Sequence, residues 1–598
     1  MKPALLLLIL AMTGSFSHAQ TNISPSTTEL TNLLKGNFSP STYGISASVN
    51  LPDSVSAGLL SHISTDSLKS SLVALRSFQN RNSGSTTTSA TRGIGAARQW
   101  VYNKFQQYSA ANGNRLKAGY LSFTQTMCAV SAHKNVIAVL PGNQTTNRSI
   151  ILVEAHLDSR CEGLCDISCN AFGADDDASG VALVLELARV LSQYTFKNTI
   201  VFSLNTGEEQ GLYGSTAFAT YLKNNTIPVK AVSNNDLSGN IFCGHTSSAP
   251  SCPAFGNIDS IGLRIFSLGG FNSPHKQWAR YIKLEYKEQL ASFVNVLTDI
   301  RIMTPEDRTG RGGDHQPFSA KGYTAARLVE ANEDGNAASS SSSYVDRQHS
   351  TRDILGIDTD GDGVEDSLYV NLNYLARNAL VNGNALAMAA LCPGTPTASA
   401  AIIRSNQLRV NFTGVSPAFR IAVRSATNDW DSVYTVPGTS DINPVRRDTV
   451  TVPYGSATNF FVSVAGVDSN GLESFFGPET SLTTGTVTAA AAKGMATTAS
   501  ATLATPSPYD GIQLLQNSPN PFDEATMITV VSSTDEYTGR AWINISSLDG
   551  RVVQRIRLPL KKGVNEVMYN HGYAIKGTYI CSLLIDGLPV QSRKMIFR

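Results

Sequence analysis

SIILVEAHLD, residues 149–158, runs through Ile150, Ile151, Leu152 and Val153 with no polar alternation and then ends on His156 and Asp158. A short β-branched run of this kind reads as a strand buried on both faces, which requires helices on both sides of its sheet. Working outward, KNVIAVLPG (134–142) and NTIVFSLNTGEE (198–209) have the same character. Between and before them lie helical patterns. SGVALVLELARVLSQY (179–194) places Val181, Val184, Ala188 and Leu191 on one face, and TRGIGAARQWVYNKFQQY (91–108) is a second amphipathic stretch. Strands alternating with helices predict an α/β domain with a sheet covered on both faces.

The 598 residues allow about four domains. A formal charge of +1 excludes a general electrostatic pull toward nucleic acid or acidic substrates. The first residues, MKPALLLLILAMTGSFSHAQ, predict a secretory signal peptide over residues 1–19, with small residues before the expected cleavage at Gln20. Its apolar run is too short to span a bilayer, and no later window reaches the ~18 apolar residues a membrane helix needs. The mature protein is therefore expected to pass through the periplasm and to be secreted or attached at the cell surface. Eight cysteines suit that oxidising compartment. CEGLCDISC (161–169) lacks the paired CxxC halves of a thiolate metal site, so disulfides are predicted, with pairings open and Cys243–Cys252 as one candidate small loop.

Composition divides the chain further. Residues 20–60, rich in Ser, Thr and Asn, read as an N-terminal segment or propeptide ahead of the α/β domain at 61–393. Helical periodicity then stops. Short strands over 394–483 predict a small all-β sandwich resembling fibronectin type III. An Ala/Thr/Ser-rich linker at 484–507 has too few bulky apolar residues for a core, and 508–598 is again strand-like, predicting a second small all-β domain.

The chemistry gathers just past the strands, where open α/β sheets collect ligands. His156 and Asp158 share a face because they are two apart. GADDDASG (173–180) opens the next helix, NTGEEQG presents Glu208 and Glu209, and IPVKAVSNND (227–236) ends in Asp236. Each is unremarkable alone: an Asp/Gly/Ser cluster is usually a solvated turn, and a single histidine is usually structural. Several acids and a histidine converging on one sheet edge would repel without a cation, and mixed carboxylate and imidazole donors suit zinc. Of two adjacent glutamates, one can ligate while the other stays free as a base.

Six motifs occur in order: AHLDS (155–159), GADDDASG (173–180), GEEQGLYGS (207–215), NNDLSG (234–239), GGDHQPF (312–318) and RQHSTRD (347–353). Together, over about residues 90–392, they resemble the secreted co-catalytic two-zinc aminopeptidases, a leucine-aminopeptidase-like group related to glutamate carboxypeptidases and glutaminyl cyclases. The resemblance implies a mixed-sheet zinc-exopeptidase fold with helices on both faces, two Zn2+ ions and peptide or protein substrates. Asp176 would bridge the metals, His156 and Asp236 would complete one, and Glu209 and His349 the other. Glu208 would take the proton of the metal-bridging water, and the Asp158 carboxylate would hold the His156 imidazole in its ligating tautomer. The residues alone do not choose between His315 and His349 for the last position. The family pattern places it at His349, although Ser350 stands where a threonine usually follows, and leaves Asp314 and His315 to line the pocket. Asp353 matches the acid that comes next.

Other signals are separate from this constellation. DTDGDGVEDS places Asp358, Asp360, Asp362 and Asp366 at calcium-loop spacing, a candidate Ca2+ site that departs from the full EF-hand pattern at Tyr369. AASSSSS (337–343) is a candidate pocket rim. The tail motifs LLQNSPNPF, ISSLDGRVV, KGTYICSLLIDG and SRKMIFR resemble the C-terminal sorting domain of type IX secretion substrates, implying that machinery as a partner. Rival functions are a carboxypeptidase of the same fold, for which Arg311 and Arg327 are available cations, a glutaminyl cyclase, or a non-catalytic surface adhesin.

Overall fold

The structure is a computed structural model that describes residues 20–45, 48–242, 258–308, 311–331, 347–361, 365, 367–404, 406–414, 416–439, 446–454, 458–484, 511–518, 520–522, 525–535, 537, 540–547, 552–570 and 577–597. The expected signal peptide, the Cys243–Cys252 loop, the serine-rich rim, almost all of the linker, and Asp362 and Asp366 lie outside these residues. The chain forms two compact units. One comprises the residues through Gly269 with Thr298–Leu391, the other Gly270–Leu297 with Cys392 onward.

The first unit is built on nine strands: β1 (Thr21–Pro25), β2 (Lys117–Met127), β3 (Val130–Leu140), β4 (Ile150–His156), β5 (Thr199–Asn205), β6 (Val229–Asn235), β7 (Gly262–Ser267), β8 (Asp299–Ile302) and β9 (Ala325–Glu330). They form one sheet in the order β1-β2-β3-β5-β4-β6-β9-β7-β8. β5, β4, β6 and β9 run parallel, whereas β3 and β7 join antiparallel, so the sheet is mixed. Every residue of β4 and β5 is buried, as their unalternating composition predicts.

Its helices are α1 (Thr28–Leu34), α2 (Pro52–His62), α3 (Thr65–Ser77), α4 (Gly93–Ala111), α5 (Ala178–Leu191) and α6 (Tyr213–Asn224); α7 (Pro274–Glu285) belongs to the second unit, and α8 (His315–Ala320) and α9 (Leu372–Leu391) return to the first. On one face Phe218 and Leu222 of α6 and Phe318 of α8 pack with Leu152, Val201 and Val232. On the other, Phe105 of α4 meets Phe202 of β5, and α5 lies between α3, α4 and α9. The domain is thus an α/β mixed sheet with helices on both faces.

Helix α5 starts where Asp177 caps it, accepting from the Gly180 N–H at 3.0 Å. Gly180 is required there. A Cβ at this position would lie 2.4 Å from the Asn235 carbonyl oxygen, so the absent side chain lets the helix start approach the end of β6.

The expected break near residue 60 is absent. β1 pairs antiparallel with β2, and Leu30, Leu33 and Leu34 of α1 are each 1% exposed within the sheet's core. Spacings of three and four residues align these leucines into one apolar stripe, which the surrounding Ser/Thr/Asn bias hides in a compositional reading.

Residues 397–483 contain a three-stranded and a four-stranded antiparallel sheet, and 512–597 repeat that division. In the first, Leu408, Val410, Phe419, Ile421, Phe460 and Val462 of both sheets share one core. In the second, Ile528, Val530, Ile543, Ile545 and Leu583 do the same. These are the two predicted all-β sandwiches.

Candidate metal centre

His156 ends β4, and its ring orientation is fixed by the backbone. Nδ1 lies 3.0 Å from the carbonyl oxygen of Asp158. A carbonyl only accepts, so Nδ1 carries a proton, and Nε2 is the ring nitrogen that could offer a lone pair to a metal. Nε2 faces Asp176 Oδ1 at 3.0 Å and Asp236 Oδ1 at 3.8 Å. This corrects the role expected of the Asp158 carboxylate, which lies 3.9 Å from Nδ1. That carboxylate instead accepts from the backbone N–H groups of Gly207 at 2.8 Å and of Glu208 and Glu209 at 3.3 Å. It pins the glutamate-bearing turn after β5, and only its own backbone oxygen sets the imidazole tautomer.

The aspartate triplet also divides its labour. Asp176 alone faces the histidines, with Oδ1 toward His156 and Oδ2 3.1 Å from His349 Nε2. Besides capping α5, Asp177 accepts from the His156 N–H at 3.1 Å and the Leu237 N–H at 3.3 Å, which ties the ends of β4 and β6 together. Asp175 Oδ1 accepts from the Gly239 N–H at 3.0 Å. The flanking acids are therefore structural, and only the middle one fits the expectation of a charge cluster formed around cations. Asp353 holds the loop from the other side, accepting from the Asp175 and Asp176 N–H groups at 2.9 and 3.0 Å. Burial pushes its carboxyl up to about 7.

Two donor sets result: His156, Asp176 and Asp236, and Asp176, Glu209 and His349. Within each, the candidate ligand atoms lie within 4.8 Å of one another. Glu209 Oε2 is 3.1 Å from His349 Nε2. Glu208 sits beside both sets, and its carboxylate enters no hydrogen bond or ion pair among the described residues. Burial, reinforced by Asp236, Glu209 and Asp314, holds its pKa well above the ordinary glutamate value.

Three arginines brace the centre that motif reading did not assign to it. Arg327, completely buried on β9, places Nη2 3.0 Å from Asp236 Oδ2 and Nη1 2.9 Å from the Gly312 carbonyl oxygen. It is thereby committed to Asp236 and removed from the role of cation for a substrate carboxylate. Arg81, also fully buried, donates to the carbonyl oxygens of Leu157 and Gly173 at 2.9 and 3.0 Å, joining the end of β4 to the triplet loop. Arg160, two residues past Asp158, donates to Glu209 Oε2 at 3.0 Å. Arg311 reaches Gln348 Oε1 at 2.6 Å. Their signal in sequence is only that strongly polar residues flank apolar runs.

Asp314 and His315 do not line an open pocket, because both are completely buried. Asp314 accepts from Ser215 Oγ at 2.5 Å and Asn205 Nδ2 at 3.0 Å, and His315 Nε2 meets the Glu306 carbonyl oxygen at 3.0 Å. The calcium-loop residues Asp358 and Asp360 are exposed, and Asp358 accepts from the Gly361 N–H at 2.7 Å. The predicted disulfides form between Cys128 and Cys165 and between Cys161 and Cys169, which rules out thiolate coordination in the 161–169 loop. No helix among the described residues is long and apolar enough to cross a membrane.

The donor sets fit divalent metal. His156 Nε2 and Glu209 Oε1 are buried without a hydrogen-bond partner, the condition of ligand atoms awaiting an ion. Burial opposes a charge on His156, yet Asp176 and Asp236 outweigh it and hold its pKa well above the usual histidine value, so the site is short of positive charge.

The profile of peptidase family M28 matches residues 135–360. A "probable zinc metalloprotease" of Phaeosphaeria nodorum is 32% identical over 382 residues, covering 59% of this chain and 73% of that protein. One of Pyrenophora tritici-repentis is 32% identical over 362 residues, covering 58% and 79%. Among solved structures, the LapA aminopeptidase of Legionella pneumophila aligns with 57% of this chain and 75% of its own, at 19% identity and a TM-score of 0.39. Identity at this level over nearly three quarters of a zinc-metalloprotease relative, with the profile spanning every residue of both donor sets, makes the chain a member of peptidase family M28.

Proposed function

We propose that the protein is a secreted, zinc-dependent aminopeptidase that removes N-terminal residues from peptides. The observation that carries this reading is the pair of donor sets sharing Asp176, with an unligated glutamate beside them. His156 and Asp236 would hold one Zn2+ and Glu209 and His349 the second, with Asp176 between them. Bound there, zinc supplies Lewis acidity toward the scissile carbonyl and the attacking water. Glu208 accepts the proton that this water loses and returns it to the departing amine, so it leaves the cycle unchanged. Asp158 keeps that base in register with the neighbouring ligand, because one carboxylate holds the N–H groups of both glutamates. Asp353 holds Asp176 through its backbone N–H, and Asp177, the next residue, is tied to the end of β4 by the His156 N–H.

Export would follow from the N-terminal leader and a C-terminal type IX sorting domain, with calcium bound near Asp358 and Asp360. The 397–483 sandwich would serve as a fibronectin type III-like module. The deciding assay uses purified protein on free and N-acetylated aminoacyl-anilides, with and without a chelator. Cleavage of the free-amine substrate alone, lost on chelation and restored by Zn2+, is expected. Activity confined to blocked substrates would assign another exopeptidase specificity, and undiminished turnover after complete zinc removal would defeat the mechanism.

A further inference from the structure

We infer that Glu285 and Glu473 form a buried latch that holds two protons and fastens the end of α7 to the second unit, so that alkaline solution releases it. Glu285 stands one helical turn after Tyr281, and the two side chains are hydrogen bonded. The Tyr281 hydroxyl also donates to the Glu473 carbonyl oxygen at 3.4 Å. A hydroxyl has one proton and a carbonyl only accepts, so Glu285 is the donor toward the Tyr281 oxygen. Its carboxyl is therefore neutral in the folded protein.

Glu473 reaches the same state for want of a partner. It is 4% exposed, and neither of its carboxyl oxygens has a hydrogen-bond partner among the described residues. Arg420 Nη1 stands 3.6 Å from Oε2, while the same guanidinium gives Nη1 and Nη2 to Glu288 at 3.1 and 2.5 Å. One cation thus faces three glutamates, and the most exposed of them takes it. The other charged or titratable neighbours leave that balance in place. Arg555 acts on Glu288 and Arg420, Arg280 is paired with Glu479, Lys283 is paired with Asp429, Lys287 is exposed, and Cys392 is a buried thiol. Burial is the largest influence on both carboxyls. It pushes Glu473 up to about 8, with Arg420 opposing and Glu288 adding, and with Glu473 and Glu288 it holds Glu285 well above the ordinary glutamate value.

A carboxyl whose folded pKa is raised gives stability that is fully present below its unfolded value of about 4.3 and is lost as pH rises through the folded value. Across that interval opening releases a proton from each such group, so its equilibrium constant rises about tenfold per pH unit per carboxyl. Leu284, adjoining Glu285, packs with Ala422, Ala465 and Phe476. A charge that appears at Glu285 therefore appears beside the apolar contact that seats the helix.

The test is trypsin cleavage of the full-length protein after Lys283 and Lys287, which flank Glu285, at pH 7 and pH 9. Products are identified by mass, and rates are normalised to an unfolded peptide of the same sequence. Cleavage of the wild type is expected to be at least about tenfold faster at pH 9. Glu285→Gln keeps a donor toward Tyr281 and removes the titrating proton, and Glu473→Gln likewise removes one. In each variant the rise should be at least about threefold smaller, and at pH 9 each should resist trypsin better than the wild type does. The urea midpoint followed by Trp278 fluorescence gives a second reading, with the variants matching the wild type near pH 5 and exceeding it at pH 8.5. A wild type whose cleavage is the same at both pH values would overturn the proposal without any variant. So would equal rises in all three proteins, or variants that open more readily than the wild type at every pH, the behaviour of ionised carboxylates paired with Arg420.

Discussion

Glu208 and Glu209 are neighbours with opposite fates: Glu209 faces a histidine and an arginine, whereas the Glu208 carboxylate enters no hydrogen bond or ion pair among the described residues. Glu208→Gln removes the base without removing a ligand. Turnover is expected to fall by about 10²–10⁴-fold while zinc content by atomic absorption stays at the wild-type level, and a parallel loss of zinc would reassign Glu208 to the ligands. That the structure gathers His156, Asp176, Glu209, Asp236 and His349, with Glu208 beside them, was legible in the sequence because each lies just past a strand end or in a motif with a fixed place in the chain order. Atom-level roles were not. Spacing places Asp158 on the same face as His156, but it cannot say that the carbonyl meets the ring while the carboxylate turns to Gly207. Nor could it separate Asp176 from Asp175 and Asp177, since three adjacent carboxylates look alike until the backbone N–H groups they satisfy are known.

The same limit acts on elements. β4, β5 and α5 were readable because an unalternating apolar run and a helical stripe each leave a local pattern. α1 leaves only three leucines among polar residues, and what gives them weight is distant: Leu121, Ile137 and Phe218 close around them. Arg148 fastens the following turn, donating to the Phe38 carbonyl oxygen at 2.7 Å and stacking 4.2 Å from its ring. If residues 20–45 are part of the sheet's core, Leu33→Ala should destabilise the first unit by about 2–4 kcal/mol. The unfolding midpoint in urea is then expected to drop, with faster hydrogen exchange in β1 and β2. An unchanged midpoint would mean that this segment lies on the sheet without contributing to its stability.

At the scale of the whole molecule, a single peptidase domain over 61–393 proves discontinuous, because Gly270–Leu297 leaves it to join the second unit. Trp278 and Tyr281 of α7, both fully buried, meet Phe475 at 5.3 and 4.7 Å, and Leu284 packs with Ala422, Ala465 and Phe476. No local signal marks this, since the partners lie about two hundred positions apart. A chain ended at Leu391 therefore strips α7 of its cover and should expose a dye-binding aromatic patch and aggregate, whereas one ended at Thr484 should not. The polar centre of the same unit sets a pH dependence. Arg424 Nε and Nη2 each lie 2.6 Å from a Glu479 carboxylate oxygen, and Arg280 Nη1 lies 3.1 Å from Oε1. Burial opposes the charge on Glu479, but the two guanidiniums prevail and hold its pKa below the ordinary glutamate value. A carboxylate whose folded pKa is depressed contributes stability that is complete above its unfolded pKa of about 4.3 and is lost as pH falls through the folded value. Glu479→Gln should cost this unit about 3–5 kcal/mol at neutral pH, because two buried cations lose their anion, and should flatten the acid-side decline. Fluorescence of Trp278 and Trp430, the latter stacked 4.8 Å from Arg280, reports the unfolding, and an unchanged acid slope in the variant would place the titrating group elsewhere.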